Sequence, residues 1–358
     1  MFLTLQIGRG LAAIAVAAFH LSIALGDKSL GGGGTPPFFE FTGRGALGVD
    51  FFFVLSGFII LQAHRADIGH PEQVGRYLGR RFVRIYPIYW IYLAACIAGM
   101  AVIGSSHLQL SSVLEWLTPF SLIRLSTVEL PLGQAWTLFH EVLFYALFAL
   151  LIVNRNVGLV AFGVWLLVIT FQYGEATATV KTIASTALSA SNFNFFTGML
   201  AFIVMGRLSK RSGLFGLLAG LVLFGATYHF DPGGQLSSYY GPAYAIAFGA
   251  ILSCSATLEC LGVVRPPAWL GLVGDASYSI YLLHEHLESY SLRVLLKAGL
   301  RSDHHPVLLF WVVLTVTLAG GCAAYLLVEK PLLRMLRSRI GRRSRVSAGQ
   351  VAAAPANG

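Results

Sequence analysis

The sequence predicts an all-α, polytopic integral membrane protein with about ten transmembrane helices and both termini cytoplasmic. Three observations carry that prediction. Among 358 residues, 56% are hydrophobic and only 11% are charged, against roughly a quarter charged in soluble domains. Mean hydropathy is +0.71. Apolar stretches recur at about 20 residues, the length of helix that crosses the hydrocarbon core. The short alternating strands of an outer-membrane barrel are not found. A soluble globular enzyme, a disordered chain and a coiled coil are excluded.

Ten spans follow in order, at about residues 5–26, 47–63, 86–104, 136–153, 157–173, 192–206, 212–229, 242–261, 271–296 and 307–329. The run Gly31 to Gly34 with Pro36 and Pro37 separates the first two, and Asp231-Pro232-Gly233-Gly234 separates the seventh from the eighth. No internal repeat is visible, so an inverted-repeat transporter gains no support. Orientation follows from Lys and Arg. Arg65, Arg76, Arg80, Arg81 and Arg84 fall between spans two and three. Arg207, Lys210 and Arg211 follow span six, and Lys330, Arg334, Arg337, Arg339, Arg342, Arg343 and Arg345 follow span ten. All lie on one side, the cytoplasm. The net charge of +9 therefore reads as topology, with no nucleic-acid partner. Residues 1–335 form the membrane domain, and 336–358 form a basic tail expected to be disordered. The expected location is the bacterial inner membrane.

The first seven residues are uncharged and Arg9 comes late, which argues against a cleaved signal peptide. The four cysteines, Cys96, Cys254, Cys260 and Cys322, sit in apolar segments without CxxC spacing. They indicate neither a disulfide framework nor a zinc site.

Ionisable groups inside a bilayer cost roughly 2.5–3.5 kcal/mol each on insertion scales, so their recurrence is informative. Arg9 and His20 share span one. Eleven residues at 100° each return to within roughly 20° of three full turns, so both lie on one face, ~16 Å apart along the axis. Asp50 opens span two at the outer side. It either holds the His20 imidazole or is a helix N-terminal acid favoured by the macrodipole. Arg81 and Arg84, at i and i+3, share a face just before span three. Their planar forks suit phosphate, although a positive-inside cluster looks the same. Glu141 follows Trp136 in span four and shares a face with Tyr145. His140-Glu141 fails the HExxH zinc signature because Phe144 stands at the last place, and His284-Glu285-His286 fails because Glu288 does. No metal is expected. His284 is a bundle-core histidine or a ligand contact. With His20, Asp50 and Glu141 in the outer half and the arginines at the inner surface, a tunnel between them would join a cytoplasmic phosphate-bearing donor to an acceptor outside. That suggests group transfer across the membrane.

These pieces together resemble the acyltransferase-3 family of integral membrane O-acyltransferases, from about Leu5 to Pro331. The family's Arg-x10-His is similar to Arg9 and His20. Gly48-Val49-Asp50-Phe51-Phe52-Phe53-Val54-Leu55-Ser56-Gly57-Phe58 matches its second span. RxxR is Arg81 and Arg84, and Trp-x-Leu-x-x-Glu is Trp136, Leu138 and Glu141. Ser277-Tyr278-Ser279-Ile280-Tyr281-Leu282-Leu283-His284 and Glu329-Lys330-Pro331 complete the order. Gln6 stands where many members have Asp, a variant that resembles the exopolysaccharide-modifying and Nod-factor-like branch. The SGNH-type esterase domain of some members is not seen, so transfer is expected to finish within the membrane domain or through a separate partner.

The resemblance implies acetyl-CoA or another short acyl-CoA as co-substrate, and no tightly bound cofactor. It implies a sugar hydroxyl on a cell-surface or exported glycan, or a lipid-linked saccharide, as acceptor. His20 would be the catalytic base or acyl carrier, with Asp50 or Glu141 orienting it. Arg9, Arg81 and Arg84 would meet the CoA phosphates. Trp136, Tyr145, Tyr281 and His284 would contact substrate. A small glycoside such as a macrolide is an alternative acceptor. A transporter, or a non-catalytic partner in polysaccharide export, is the alternative of another class. The arginine pair with Arg9 speaks against a proton-coupled carrier, which has no evident use for it.

Overall fold

The computed structural model describes residues 2–27, 37–102, 110–172, 181–231 and 240–336. The Gly31–Gly34 run, the Pro232–Gly234 turn and the tail from Arg337 lie outside the described residues. No strand occurs among the described residues, and ten long helices do: α1 Leu3–Gly26, α2 Leu47–His64, α3 Val74–Val102, α4 Trp136–Val153, α5 Arg155–Phe171, α6 Phe193–Met205, α7 Lys210–Phe230, α8 Gly241–Cys260, α9 Ser277–Lys297 and α10 Pro306–Ala324. They correspond in order to the expected spans.

Two boundaries differ in ways that matter. The third helix begins at Val74, so Arg76, Arg80, Arg81 and Arg84 ride on its first turns instead of a loop. The ninth expected span is broken at Ala276 into a short helix, Gly271–Asp275, and α9. Among the described residues, seven helical stretches are long and apolar enough to cross a bilayer, and α5 and Ala190–Met205 are shorter apolar helices. Helix α9 is not among the seven because Glu285, Glu288, Arg293 and Lys297 lower its hydropathy. Several of its polar groups, including His284 and Glu288, are buried against protein. The chain is a multi-pass helical membrane protein. Helix α7 shows how lipid-facing helices read: Phe215, Leu218 and Val222 are exposed, which suits hydrocarbon and not water.

Helix ends are satisfied locally. Asn154 accepts from the backbone of Asn156 and Val157, so α4 turns directly into α5. Ser209 and Ser212 cap α7 reciprocally. The start of α1 is capped from a distance: Glu259 on α8 accepts from Leu3 N at 2.7 Å, and from Thr4 N at 2.8 Å and Thr4 Oγ1 at 2.6 Å. A carboxylate there also meets the positive end of the helix dipole.

Helix α1 is central and packs on α2, α8, α9 and α10. In hydrocarbon, helices associate through close backbone contact at small residues, and the second layer follows that rule. A Cβ at Gly198 on α6 would overlap the Val54 carbonyl of α2, and one at Gly57 on α2 would overlap the Phe195 carbonyl of α6. Gly10 and Gly274 bring α1 against the short helix in the same way.

Polar groups stitch α3, α9 and α10 together. The carboxylate of Glu329, 1% exposed, meets Arg84 Nη1 at 3.3 Å and accepts from Ser279 Oγ at 2.6 Å. Ser279 in turn lies 2.6 Å from the Tyr92 hydroxyl. A π-helical turn, Tyr325–Glu329, follows α10 and sets this carboxylate inward. Removing one partner of a buried pair leaves an uncompensated charge, at a cost of about 3–5 kcal/mol. Glu329→Ala is therefore expected to lower the thermal midpoint of the detergent-solubilised protein strongly, and Glu329→Gln less. Midpoints equal to the wild type would show that the pair does not hold these helices.

Candidate functional site

A cavity of about 940 Å³ lies among α1, α2, α3, α4, α9 and the π-helical turn that follows α10. Its walls carry five arginines, Arg9, Arg76, Arg80, Arg81 and Arg84, against three carboxylates, Glu141, Asp275 and Glu329. Tyr145, Tyr278, Tyr281 and Tyr325 supply aromatic surface. The cationic excess and the low-dielectric walls favour a polyanionic ligand. Two buried donors in these walls lack partners among the described residues, Arg81 Nε and Ser277 Oγ, and a ligand in the cavity could complete them.

Three of the five arginines are held from behind. Arg81 Nη2 donates to His64 Nε2 at 3.0 Å, and His64 Nδ1 donates to Asp67 at 2.7 Å. The Arg81 guanidinium lies 5.7 Å from the Tyr145 ring centre. Arg84 is paired with Glu329 and lies 5.5 Å from the Tyr278 ring centre. Arg9 donates to Gln6 Oε1 at 3.3 Å, and Gln6 donates to Asp275 at 2.9 Å.

Phe52, Thr137 and Tyr281 line the cavity, and Tyr281 leads through His284 to His20. The rings of Phe52 and Tyr281 are 5.7 Å apart, and the Tyr281 ring is 5.9 Å from that of His284. Beyond this partition sits His20, which does not line the cavity. His20 Nδ1 lies 3.0 Å from the Val16 carbonyl oxygen and 3.2 Å from His284 Nε2. A carbonyl only accepts, so His20 Nδ1 carries the proton. Two N–H groups cannot face each other, so His284 Nε2 is bare and His284 Nδ1 donates to the Tyr281 carbonyl at 2.7 Å. These partners put a proton on His20 Nδ1. Nε2 is the nitrogen left to accept a proton during a reaction, and its 3.4 Å contact with Glu285 Oε1 is an ion pair once it does. His20 and Glu285 are part-exposed, at 32% and 41%, while His284 is fully buried. The pair can take a proton from a bound hydroxyl, with the carboxylate stabilising the resulting imidazolium.

The structure brings Arg9, Arg81, Arg84, Glu141, Tyr145 and Tyr281 together in one cavity wall. It joins His20 to His284, which is an imidazole partner and not a wall of the cavity. It does not bring Asp50 or Glu141 to His20. Gly48 abuts Ala12 and Val16, and Phe51 reaches Gly8, so Asp50 lies beside the start of α1, some eight or more residues from His20, or ~12 Å at 1.5 Å per residue. Asp50 is buried and accepts from Asn194 Nδ2 at 2.6 Å. Glu141 accepts from Ser56 Oγ at 2.7 Å. Trp136 packs on Phe53 and His140. Sequence reasoning missed Glu285 as the carboxylate at His20, because it was tested only against a zinc spacing. It also missed His64 behind Arg81, since the Asp67 spacing at i+3 is not distinctive. His20, His284 and Glu285 offer ligand atoms all within 4.8 Å of one another. An ion there would have to replace the His20–His284 hydrogen bond.

The sequence matches the family described as an acyltransferase domain over residues 2–326. It is 36% identical over 320 residues to the exopolysaccharide production protein ExoZ of Rhizobium meliloti strain 1021, covering 85% of this chain and 93% of that one. It is 26% identical over 369 aligned positions to the acyltransferase MdmB of Streptomyces mycarofaciens, covering 92% and 91%. No solved structure matches. The chain belongs to this acyltransferase family, and it is an O-acyltransferase.

The tautomer can be read directly. In detergent-solubilised protein with 15N-labelled histidine, His20 is expected to show a protonated Nδ1 whether or not Nε2 carries a proton. His284→Ala should mix the two tautomers. The reverse assignment in the wild type would refute the hydrogen-bond chain.

Proposed function

We propose that this member of the acyltransferase family moves an acetyl or other short acyl group from cytoplasmic acyl-CoA to a sugar hydroxyl of a cell-surface or exported glycan. The observation that carries the reading is the placement of two unlike sites on one helix. Arg9 of α1 lines the arginine-walled cavity, and His20 of the same helix presents Nε2 beside Glu285 beyond the partition. The cavity is the site for the CoA phosphates, with Arg81 and Arg9 as donors. The acyl arm points toward Phe52 and Tyr281.

A sugar hydroxyl is a poor nucleophile near neutral pH, and a positioned base adds about 10²–10⁴-fold. The hydroxyl oxygen bonds the thioester carbonyl carbon as its proton passes to His20 Nε2. Glu285 stabilises the imidazolium. Collapse breaks the C–S bond, and the CoA thiolate recovers the proton and leaves as the thiol. If His20 instead carries the acyl group, it does so through the same Nε2, since Nδ1 is bonded. The reaction as written asks for no metal and no tightly bound cofactor. The printed name of the Rhizobium relative, an exopolysaccharide production protein, favours a polysaccharide or its lipid-linked precursor over a small glycoside. The basic residues before and on α3 and after α10 support cytoplasmic termini in an inner membrane.

Membranes holding wild type or His20→Ala, given acetyl-labelled acetyl-CoA, test this. Alkali-labile label in the glycan fraction is expected from the wild type only, at equal protein level. Equal label in both would remove His20 from the chemistry. Donor binding has its own readout. A ligand at 100 times its Kd stabilises by about 2.7 kcal/mol, so acetyl-CoA should raise the wild-type thermal midpoint. Arg81→Gln, which leaves the Arg84–Glu329 pair intact, should lose most of that protection. Full protection in Arg81→Gln would take this arginine out of the donor site.

A further inference from the structure

We propose that the side-chain amide of Gln134 is the oxyanion donor of the transfer, holding the acyl carbonyl oxygen between the cavity and His20. This rests on the acyl-transfer reading above. Gln134 is 3% exposed, and neither its Nε2 nor its Oε1 has a partner among the described residues. An amide left so in an apolar interior is unfavourable unless a ligand completes it.

The residue is fixed in place by its main chain. Its carbonyl accepts from Thr137 Oγ1 at 3.0 Å and from the Tyr281 hydroxyl at 3.5 Å. Thr137 and Tyr281 are two of the groups that line the arginine cavity. On its other side, Gly133 lies against the carboxylate that meets His20: a Cβ there would stand 3.3 Å from Glu285 Oε2. The single turn Gly133–Ala135 is thus bonded to two residues of the cavity wall and lies against Glu285, the partner of His20. With phosphates on the arginines and a hydroxyl at His20, the thioester carbonyl has to lie at this junction. As the hydroxyl oxygen bonds the carbonyl carbon, the carbonyl π pair moves onto oxygen, and Gln134 Nε2–H donates to it. When the C–S bond breaks, that pair returns to form the ester carbonyl. An acyl-His20 course would pass through the same oxyanion in each half. Of the other unpaired donors, Arg81 Nε and Ser277 Oγ line the arginine-walled cavity and fall to the phosphates.

Gln134→Met keeps length and apolar fill and removes the donor; Gln134→Glu replaces it with an acceptor. Both are compared with wild type for thermal midpoint without ligand, for protection by acetyl-CoA, and for the rate of acetyl label entering the glycan fraction of native membranes. Loss of one oxyanion donor costs about 10²–10³ in rate. The expected result for Gln134→Met is that loss, with an unchanged KM for acetyl-CoA, retained protection and a midpoint equal to or above the wild type. A wild-type transfer rate would overturn the assignment, and so would a midpoint several degrees lower, which would make the amide a structural group. Wild-type membranes that transfer no label from acetyl-, propionyl- or succinyl-CoA would bring down the acyl-transfer reading itself. A labelled wild type with an unimpaired Gln134→Met brings down the amide alone.

Discussion

A polar side chain buried among apolar helices is costly unless something bonds it, and the organisation of this protein follows from how that demand is met. Glu329 is bonded by Arg84 and Ser279, Asp50 by Asn194, and Glu141 by Ser56. Each of these links joins different helices and so does the work of assembly. Among the groups left without partners, Arg81 Nε and Ser277 Oγ line the internal cavity, and the Gln134 amide belongs to a turn bonded to its wall. Others, such as Arg124 Nε and Thr317 Oγ1, lie away from it.

Much of the frame was legible in the sequence. The apolar runs became helices, seven of them long and apolar enough to cross a bilayer among the described residues, because length and hydropathy are local properties that the bilayer reads segment by segment. The pairing of Arg9 with His20 on one face was equally legible, since helical periodicity is a property of one element. Depth across neighbouring helices was not. Asp50 looked level with His20 because it opens its span, but the close fit of Gly48 on Ala12 slides α2 along α1 and leaves Asp50 well short of it. Periodicity reports a face and never the register between two helices. The partners of His20 were hidden for a related reason. His284 and Glu285 lie 264 and 265 positions along the chain, and only tertiary packing brings them to it.

The family relationship and the geometry meet at the same residues. The chain is an acyltransferase by its relatives, and the cavity and the histidine supply an anion-binding wall and a basic nitrogen on opposite sides of Phe52 and Tyr281. Arg84 occupies both worlds: it lines the cavity and it anchors the buried pair with Glu329. One half of the RxxR motif is thereby committed to structure, while Arg81, backed by His64, retains a free donor. Two arginines three residues apart on one helix are not equivalent once their neighbours are known.

The aromatic partition between the cavity and His20 has a consequence for how the protein would respond to small molecules. A compound lodged among the arginines and one lodged beside Glu285 would not contend for the same entrance. Their occupancies would be largely independent, and blockade from either face would suffice to stop turnover. Selectivity is then separable as well. On the proposed reading, anionic, nucleotide-like shapes would belong to one side and neutral, hydroxylated shapes to the other, so the face at which an inhibitor acts would disclose which half of the reaction it imitates.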